Sequence, residues 1–352
     1  MDMKHAVCSS QPAVIRQSVV LTRAEIRGIL SGLIAGIPEK SITGPPFCIF
    51  NFITSVQKGY DITLGVPVRS DSDCGVEMPV MMPEMEILSR VHRGEPEKLR
   101  ETAAAVFGYA DRLGVISDEF YREVYLDETH PDGPGIEVQF VVHNWSRKLT
   151  QAIDTVLGAS VREWLMQGSG EGMGIEAGVS RRFEWVKAML ARLDEVADKD
   201  MKYDILSRCA HVFPSNQVAK LAAVFRDARS QTGDSLQAVD AVIAFMNEDP
   251  GWTEGGIRRE RTIYFSKNPR DPKAHNAATT ELERRQAACF CPIVRSCMDQ
   301  EMPVDFCYCG SGWLRQQWEG AIGWPVTIDI VRSVLRGDDR CEFAVHLPED
   351  LS

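Results

Sequence analysis

The feature that most constrains the fold is a pattern that occurs twice in the first 143 residues. Each copy reads as strand, helix, strand, strand. The first copy runs "VVLTRAEIRGILSGLIAGIPEK", "PPFCIFNF", "GYDITLGVPV", and the second runs "GVEMPVMMPEMEILSRVHRGEPEKLRETAAAVFGYADRLG", "FYREVYLDE", "GIEVQFVVH". Two such units side by side predict one antiparallel sheet, with both helices covering one side and a concave face opposite.

The spacing of apolar residues supports this interpretation. The last strands of the two copies superimpose, with Asp61 on Glu137, and both alternate polar and apolar residues. Alternation puts Glu137 and Gln139 on one face of the sheet, while Glu123 shares a face with Tyr125. We therefore expect acidic side chains in the wall of a pocket. Each copy also contains apolar residues spaced so that they fall on one side of a helix, which predicts one helix per copy. These residues are Ile26, Ile29, Leu30 and Leu33 in the first copy and Leu99, Ala103, Phe107 and Ala110 in the second.

Residues 14–143 resemble the GyrI-like effector-binding domain in "GYDITLGVPV", "MPEMEILSRVHRGEPEKL" and "REVYLDETHPDGPGIEVQFVV". Members of that family bind lipophilic, often cationic compounds in an aromatic pocket that contains a Glu, frequently in multidrug-responsive regulators. Some stand-alone members hydrolyse strained, cyclopropane-bearing toxins. The resemblance implies that Glu137 matches the acidic residue of the family, and that Tyr125 and Glu123 match the adjoining strand.

Binding and hydrolysis would need nearly the same residues. A carboxylate beside aromatic rings attracts a cation, and it can also take a proton from water as a general base. The sequence leaves both functions open: a sensor or sequestering protein for a lipophilic, cationic molecule, or a hydrolase with Glu137 as general base. The candidate ligand-binding residues are Glu137, Tyr125, Glu123, Phe50, Phe52 and Asp61.

The net charge and the hydropathy of the chain argue against nucleic acid and membrane as partners. The net charge is −11, of which residues 1–143 carry −7 (13 Lys and Arg against 20 Asp and Glu) and the rest −4, so neither half offers the basic surface of a nucleic-acid binder. No apolar run approaches the about 20 residues of a membrane helix, and the first residues lack a secretory pattern. Little sequence precedes the resemblance, so we expect no DNA-reading domain. We expect a cytoplasmic protein whose partner is a small molecule.

Residues 144–352 are expected to form a second domain, largely helical and ending in a small Cys-rich α+β unit. "CFC" at 289–291 and "CYC" at 307–309 are paired Cys-x-Cys units. Cytoplasmic disulfides are rare, so these thiols are either zinc ligands, reactive thiols or buried apolar side chains. If both pairs lay on facing strands, they could meet one zinc ion. The candidate metal ligands are Cys289, Cys291, Cys307 and Cys309.

The end of the chain carries a second resemblance. "GWPVTIDIVRSVLRGDDRCEF" is similar to the C-terminal part of 4-vinyl-reductase-like hydrocarbon-binding domains, and the pattern "CxCP … CxCxxGW" is closer still to a Cys-rich prokaryotic family. The resemblance implies a second small-molecule-binding module. In "RSVLRGDDR", we expect Gly337 to adopt the positive φ of a turn between two strands. The sequence as a whole predicts two domains of the α+β class.

Overall fold

A computed structural model describes residues 3–51, 59–70, 78–127, 130, 133–213, 215–248 and 256–351. The chain forms two compact units. The first contains Met1–Arg112 and Ile116–His143, and the second contains Leu113–Val115 and Asn144–Ser352. Within the described ranges, every helix is too short or too polar to span a bilayer.

The first unit is built on an eight-stranded antiparallel sheet with the strand order β1-β6-β8-β7-β3-β4-β2-β5. Among the described residues of this unit, two helices and two short 3-10 helices, Glu39–Ser41 and Pro96–Lys98, connect these strands. The elements are β1 (Lys4–Cys8), β2 (Gln11–Val20), α1 (Arg23–Ala35), β3 (Phe47–Asn51), β4 (Tyr60–Pro67), β5 (Val80–Met82), β6 (Met85–His92), α2 (Leu99–Arg112), β7 (Ser117–Leu126) and β8 (Gly135–Val142).

The predicted duplication is confirmed. Strands and helices follow the order β2-α1-β3-β4 in the first half and β6-α2-β7-β8 in the second. The two halves meet where β3 pairs with β7, and β4 and β8 are the middle strands of their halves, as the superposition of their sequences predicts. The edge strands β1 and β5 extend the sheet beyond the repeat, and the sequence pattern did not predict them. The α+β class is confirmed.

The two faces of this sheet carry different layers. On the helix face, Ile26 and Leu30 of α1 pack against Phe50 and Leu64 of the sheet. On the opposite face, Phe47 belongs to a second apolar cluster. The Phe47 ring crosses β4 at Gly65, where a Cβ atom would lie 2.1 Å from the ring. The opposite-face cluster consists of Ala13, Phe47, Ile49, Val124 and Leu126.

The second unit combines eleven helices, in the part of the chain that is described, with a four-stranded antiparallel sheet of order β11-β12-β10-β9. This agrees with the predicted helical domain that ends in an α+β unit. Gly337, in the turn between β11 and β12, has a φ of 105°, as expected. The elements are α3 (Trp145–Val156), α4 (Ala159–Leu165), α5 (Ser169–Gly172), α6 (Val179–Asp194), α7 (Lys199–Ser207), α8 (Ser215–Thr232), α9 (Ser235–Glu248), β9 (Ile257–Arg259), β10 (Thr262–Ser266), α10 (Pro272–Ala277), α11 (Glu281–Ala288), α12 (Pro292–Ser296), α13 (Tyr308–Ile322), β11 (Thr327–Arg332) and β12 (Glu342–His346).

Replacing Gly65 with Ala should destabilise the protein by about 1–3 kcal/mol, because the new methyl group overlaps the buried Phe47 ring. Gly28→Ala is the matched control: Gly28 lies inside α1 with nothing within 4 Å of its Cβ position, so Ala should be neutral or stabilise the helix. Urea unfolding of both variants measures the difference. Equal stabilities would contradict the close packing of Phe47 on β4.

Candidate functional site

A buried carboxylate lies on the helix face at the centre of the first sheet. Glu123 of β7 is 1% exposed and stands opposite Cys48 of β3. The hydroxyl groups of Tyr121 and Tyr125, which flank it two residues away on the same strand, each donate to one of its oxygens over 3.3 Å. Alternation along β7 therefore brings an acid and two phenols to one spot on the sheet.

Arg23, the first residue of α1, balances the charge of this carboxylate. Its Nη1 atom lies 2.6 and 2.7 Å from the two oxygens of Glu123, and its Nη2 atom donates to the Tyr121 hydroxyl over 2.9 Å. The pair is asymmetric, because the side chain of Arg23 is 41% exposed while that of Glu123 is 1% exposed. Glu123 thus has a fixed place in the sheet, and its counter-charge reaches it from the solvent side.

Aromatic rings complete the surroundings of the carboxylate. Phe50 stacks on Tyr121 with ring centroids 4.8 Å apart and planes 4° apart. The guanidinium of Arg23 lies over the Phe50 ring, 4.9 Å from its centroid. We call Arg23, Phe50, Tyr121, Glu123 and Tyr125 the Glu123 cluster. It joins negative charge and ring faces, which are the two features that attract an organic cation.

Burial and the negative charge of Glu123 shift the neighbouring titratable groups. Burial, and secondarily Glu123, raises the pKa of Tyr121 and of Tyr125 above the ordinary range. Burial by itself would lower the pKa of Arg23, but Glu123 and the two phenols outweigh it and the pKa is raised. The phenols therefore stay protonated and donate hydrogen bonds at neutral pH, while Arg23 stays charged.

Glu137 lies on the other face of the sheet. Its two oxygens accept hydrogen bonds from Ser89 Oγ (2.6 Å) and Gln139 Nε2 (2.8 Å). The amide oxygen of Gln139 in turn accepts from Nε of Arg122 over 2.6 Å. We call Ser89, Arg122, Glu137 and Gln139 the Glu137 network. The role of Glu137 as general base of a hydrolase stays a prediction; both of its oxygens already accept hydrogen bonds here.

Arg122 is the positively charged residue of this network. It is 3% exposed, its guanidinium lies over the Phe47 ring at 5.2 Å, and its Nη2 atom approaches Cys8 Sγ to 3.5 Å. Burial lowers the pKa of Arg122, and the nearby Cys8 and Glu137 only partly oppose this shift. The cluster and the network are thus separate polar groups on opposite faces of one sheet.

The residues predicted for the site consequently do not all lie on one face of the sheet. Strand alternation brings Glu123, Tyr125 and Phe50 together on the helix face and turns Glu137 to the opposite face. Asp61 also points to the opposite face, but it lies on β4, three strands from β8. Phe52 lies outside the described residues.

Sequence reasoning missed two members of the Glu123 cluster. Tyr121 could have been found, because "YREVY" alternates aromatic, acidic and aromatic residues on one face of a strand. Arg23 carries no comparable local signal: it opens an amphipathic helix and meets Glu123 only through a contact across 100 residues of sequence. Such a pairing follows from the fold and not from a motif.

The four predicted metal ligands lie in the second unit, and none is on a strand, so the two Cys-x-Cys units do not meet as the facing strands that the sequence left open. Cys289 caps the end of α11 and Cys291 precedes α12, because Pro292 favours the first turn of a helix. Cys307 ends a 3-10 helix, Val304–Cys307, and Cys309 lies in the first turn of α13.

Three of these four thiols lie beside different polar groups. Cys289 Sγ lies 3.7 Å from the carbonyl oxygen of Cys291, Cys307 Sγ lies 3.3 Å from the hydroxyl of Ser333, and Cys309 Sγ lies 3.6 Å from the carbonyl oxygen of Cys209. Among the residues that the structure describes, no group of three or more His, Cys, Asp or Glu side chains could hold a metal ion. The zinc prediction therefore gains no support from this arrangement.

A groove of about 610 Å³ lies elsewhere in the second unit. It is formed by α10, α11 and α12 and contains none of the residues predicted from the sequence. Arg270 and Arg295 stand at this groove together with Asp271 and Glu283, so both signs of charge are present. Glu283 is already engaged in capping α11 with Thr280.

Comparison with known proteins finds no matching protein-family model and no matching curated protein. Among solved structures, the C-terminal domain of EcmrR is 15% identical over 40% of this chain and 96% of that chain, with a TM-score of 0.35. SAV2435 bound to tetraphenylphosphonium is 13% identical over 42% and 97%, with a TM-score of 0.30. A hydrolase from Listeria innocua is 12% identical over 40% and 90%, with a TM-score of 0.30. Likeness at this level supports no argument about function.

The half-buried thiols of Cys307 and Cys309 should resist alkylation. Burial raises the pKa of Cys307 and of Cys309 to about 12, from an ordinary 9.0. At pH 8, roughly one such thiol in ten thousand is then ionised, against about one in ten in the unfolded chain, and the thiolate is the species that reacts. Mass spectrometry after iodoacetamide treatment should find both cysteines unmodified in native protein and modified in urea. Rapid labelling of native protein would contradict the raised pKa of these thiols.

Proposed function

We propose that the first unit binds a small molecule with an apolar body and a cationic group at the Glu123 cluster, as a sensor or sequestering protein. The observation that carries the proposal is a carboxylate, 1% exposed, that shares one spot with an aromatic stack and two phenol hydroxyls. A buried acid in an apolar layer is expensive to keep unless it meets a positive charge. The positive charge beside Glu123 is that of Arg23, whose side chain is 41% exposed, so the carboxylate can be reached from the solvent side once this side chain moves.

The chemistry of the cluster defines the ligand class. The carboxylate selects positive charge, and the face of Phe50 adds a cation–π attraction that favours weakly hydrated organic cations over metal ions. Tyr121 and Tyr125 stabilise the carboxylate through their hydroxyl groups, and their rings add apolar surface beside it. The expected ligand is thus a lipophilic cation such as a quaternary ammonium or phosphonium compound.

Tetraphenylphosphonium and tetraphenylborate test this proposal, because they have the same size and shape and opposite charge. Isothermal titration calorimetry should show binding of the cation and not of the anion. Glu123→Gln keeps the shape of the side chain and removes its charge, so it should weaken cation binding at least about tenfold, or 1.4 kcal/mol.

Glu137→Gln is the same substitution on the opposite face of the sheet and serves as the matched comparison. We expect it to leave the affinity for tetraphenylphosphonium within about twofold, since removing a distant charge changes binding little. Loss of binding in Glu137→Gln with full affinity in Glu123→Gln would move the site to the Glu137 network. Equal affinity for the cation and the anion in the wild type would contradict the proposal outright.

A further inference from the structure

Arg23 already occupies the position that an organic cation would take in the Glu123 cluster. Its guanidinium donates to both oxygens of Glu123 and lies over the ring face of Phe50. Charge pairing and cation–π contact are therefore both satisfied by the chain itself. A ligand with a positive charge cannot reach the same carboxylate while this side chain stays in place.

The surroundings of Arg23 allow it to leave. It is the first residue of α1, and the neighbouring residues Leu21, Thr22 and Glu25 are exposed, so the first turn of the helix lies in solvent. The buried face of α1 begins at Ile26. Turning the arginine outward returns a guanidinium to water without disturbing that face. Glu123, which is fixed in a central strand, has no such freedom.

The position of Arg23 is unfavourable for the helix itself. The N-terminus of a helix carries partial positive charge, which favours acidic residues there and disfavours basic ones. Only Glu25 in this first turn follows that preference. The contact with Glu123 holds Arg23 in place against this repulsion, so the helix does not oppose its release.

We infer that Arg23 is a built-in competitor that determines the specificity of the Glu123 cluster: a ligand's cationic group binds by replacing its guanidinium. This inference rests on the proposed function and adds to it. Neutral and anionic molecules cannot form an ion pair with the Glu123 carboxylate, so they do not displace Arg23 and are excluded from the site. Cations that bind more weakly than the resident guanidinium are excluded as well. The site thereby selects strongly binding organic cations.

Removing the competitor should raise affinity. When only a fraction of the protein is free to bind, the apparent Kd exceeds the intrinsic Kd by the inverse of that fraction. Arg23→Ala frees every site, so tetraphenylphosphonium should bind at least roughly tenfold more tightly than to the wild type, which corresponds to a competent fraction of about one tenth. Arg27→Ala, an exposed arginine one turn along α1, is the matched control and should leave the affinity unchanged.

A second measurement uses ethylguanidinium, which supplies from solution the guanidinium group that Arg23→Ala lacks. It should compete with tetraphenylphosphonium on Arg23→Ala and raise the melting temperature of that variant, and it should do neither on Arg27→Ala. A merely structural role of Arg23 would not produce this competition. Should Arg23→Ala fail to fold, Arg23→Gln retains an N–H donor for Tyr121 and Glu123 without the charge and should show the same gain.

The outcomes separate the two proposals. Unchanged or weaker cation binding in folded Arg23→Ala and Arg23→Gln, with binding lost in Glu123→Gln, overturns this inference and leaves the proposed function standing. Equal cation binding by the wild type and Glu123→Gln overturns the proposed function and the inference with it. Tighter binding in the arginine variants, with competition by ethylguanidinium, supports both.

Discussion

A carboxylate removed from water must keep positive charge and hydrogen-bond donors beside it, and Glu123 imposes this requirement on the first unit. Its partners come from different parts of the chain: Arg23 from the start of α1, and Tyr121 and Tyr125 from its own strand. The first turn of α1 and the central strand β7 must therefore meet at one place. The helix, the register of β7 with β3 and the stacked rings all depend on that meeting point.

The same strand alternation that assembles the Glu123 cluster also separates it from Glu137. Neighbouring residues of a strand point to opposite faces, so Glu123 faces the helices while Arg122, one residue earlier, joins the Glu137 network. The sheet consequently carries two polar groups with different character. The Glu123 cluster is aromatic and reaches solvent through an exposed arginine, whereas the Glu137 network centres on an arginine that is 3% exposed.

The sequence predicts features that arise from local periodicity. The duplicated strand-helix-strand-strand order, the apolar face of α1 at Ile26 and Leu30, and the shared face of Glu123 and Tyr125 all follow from spacing along the chain. Features that depend on contacts between distant parts of the chain cannot be predicted from this spacing. Arg23 meets Glu123 across 100 residues, and the edge strands β1 and β5 are defined by pairing partners and not by their own pattern.

The cysteines show a further limit of periodicity, since Cys-x-Cys is compatible with a strand or with a helix end. Pro292 starts a helix directly after Cys291, and a 3-10 helix leads from Cys307 into α13, so the two Cys-x-Cys units lie at helix ends and not on strands. Type of residue and spacing alone could not distinguish these arrangements. The pairing of aromatic and acidic residues in "YREVY" is more informative, because only one face of a strand can receive them.

A crystal structure of the protein with tetraphenylphosphonium tests cation binding at the Glu123 cluster most directly. We expect the phosphonium centre beside the Glu123 carboxylate on the helix face, a phenyl group against Phe50, and the guanidinium of Arg23 turned into solvent. A ligand bound beside Glu137 on the opposite face, with Arg23 still hydrogen-bonded to Glu123, would contradict that assignment.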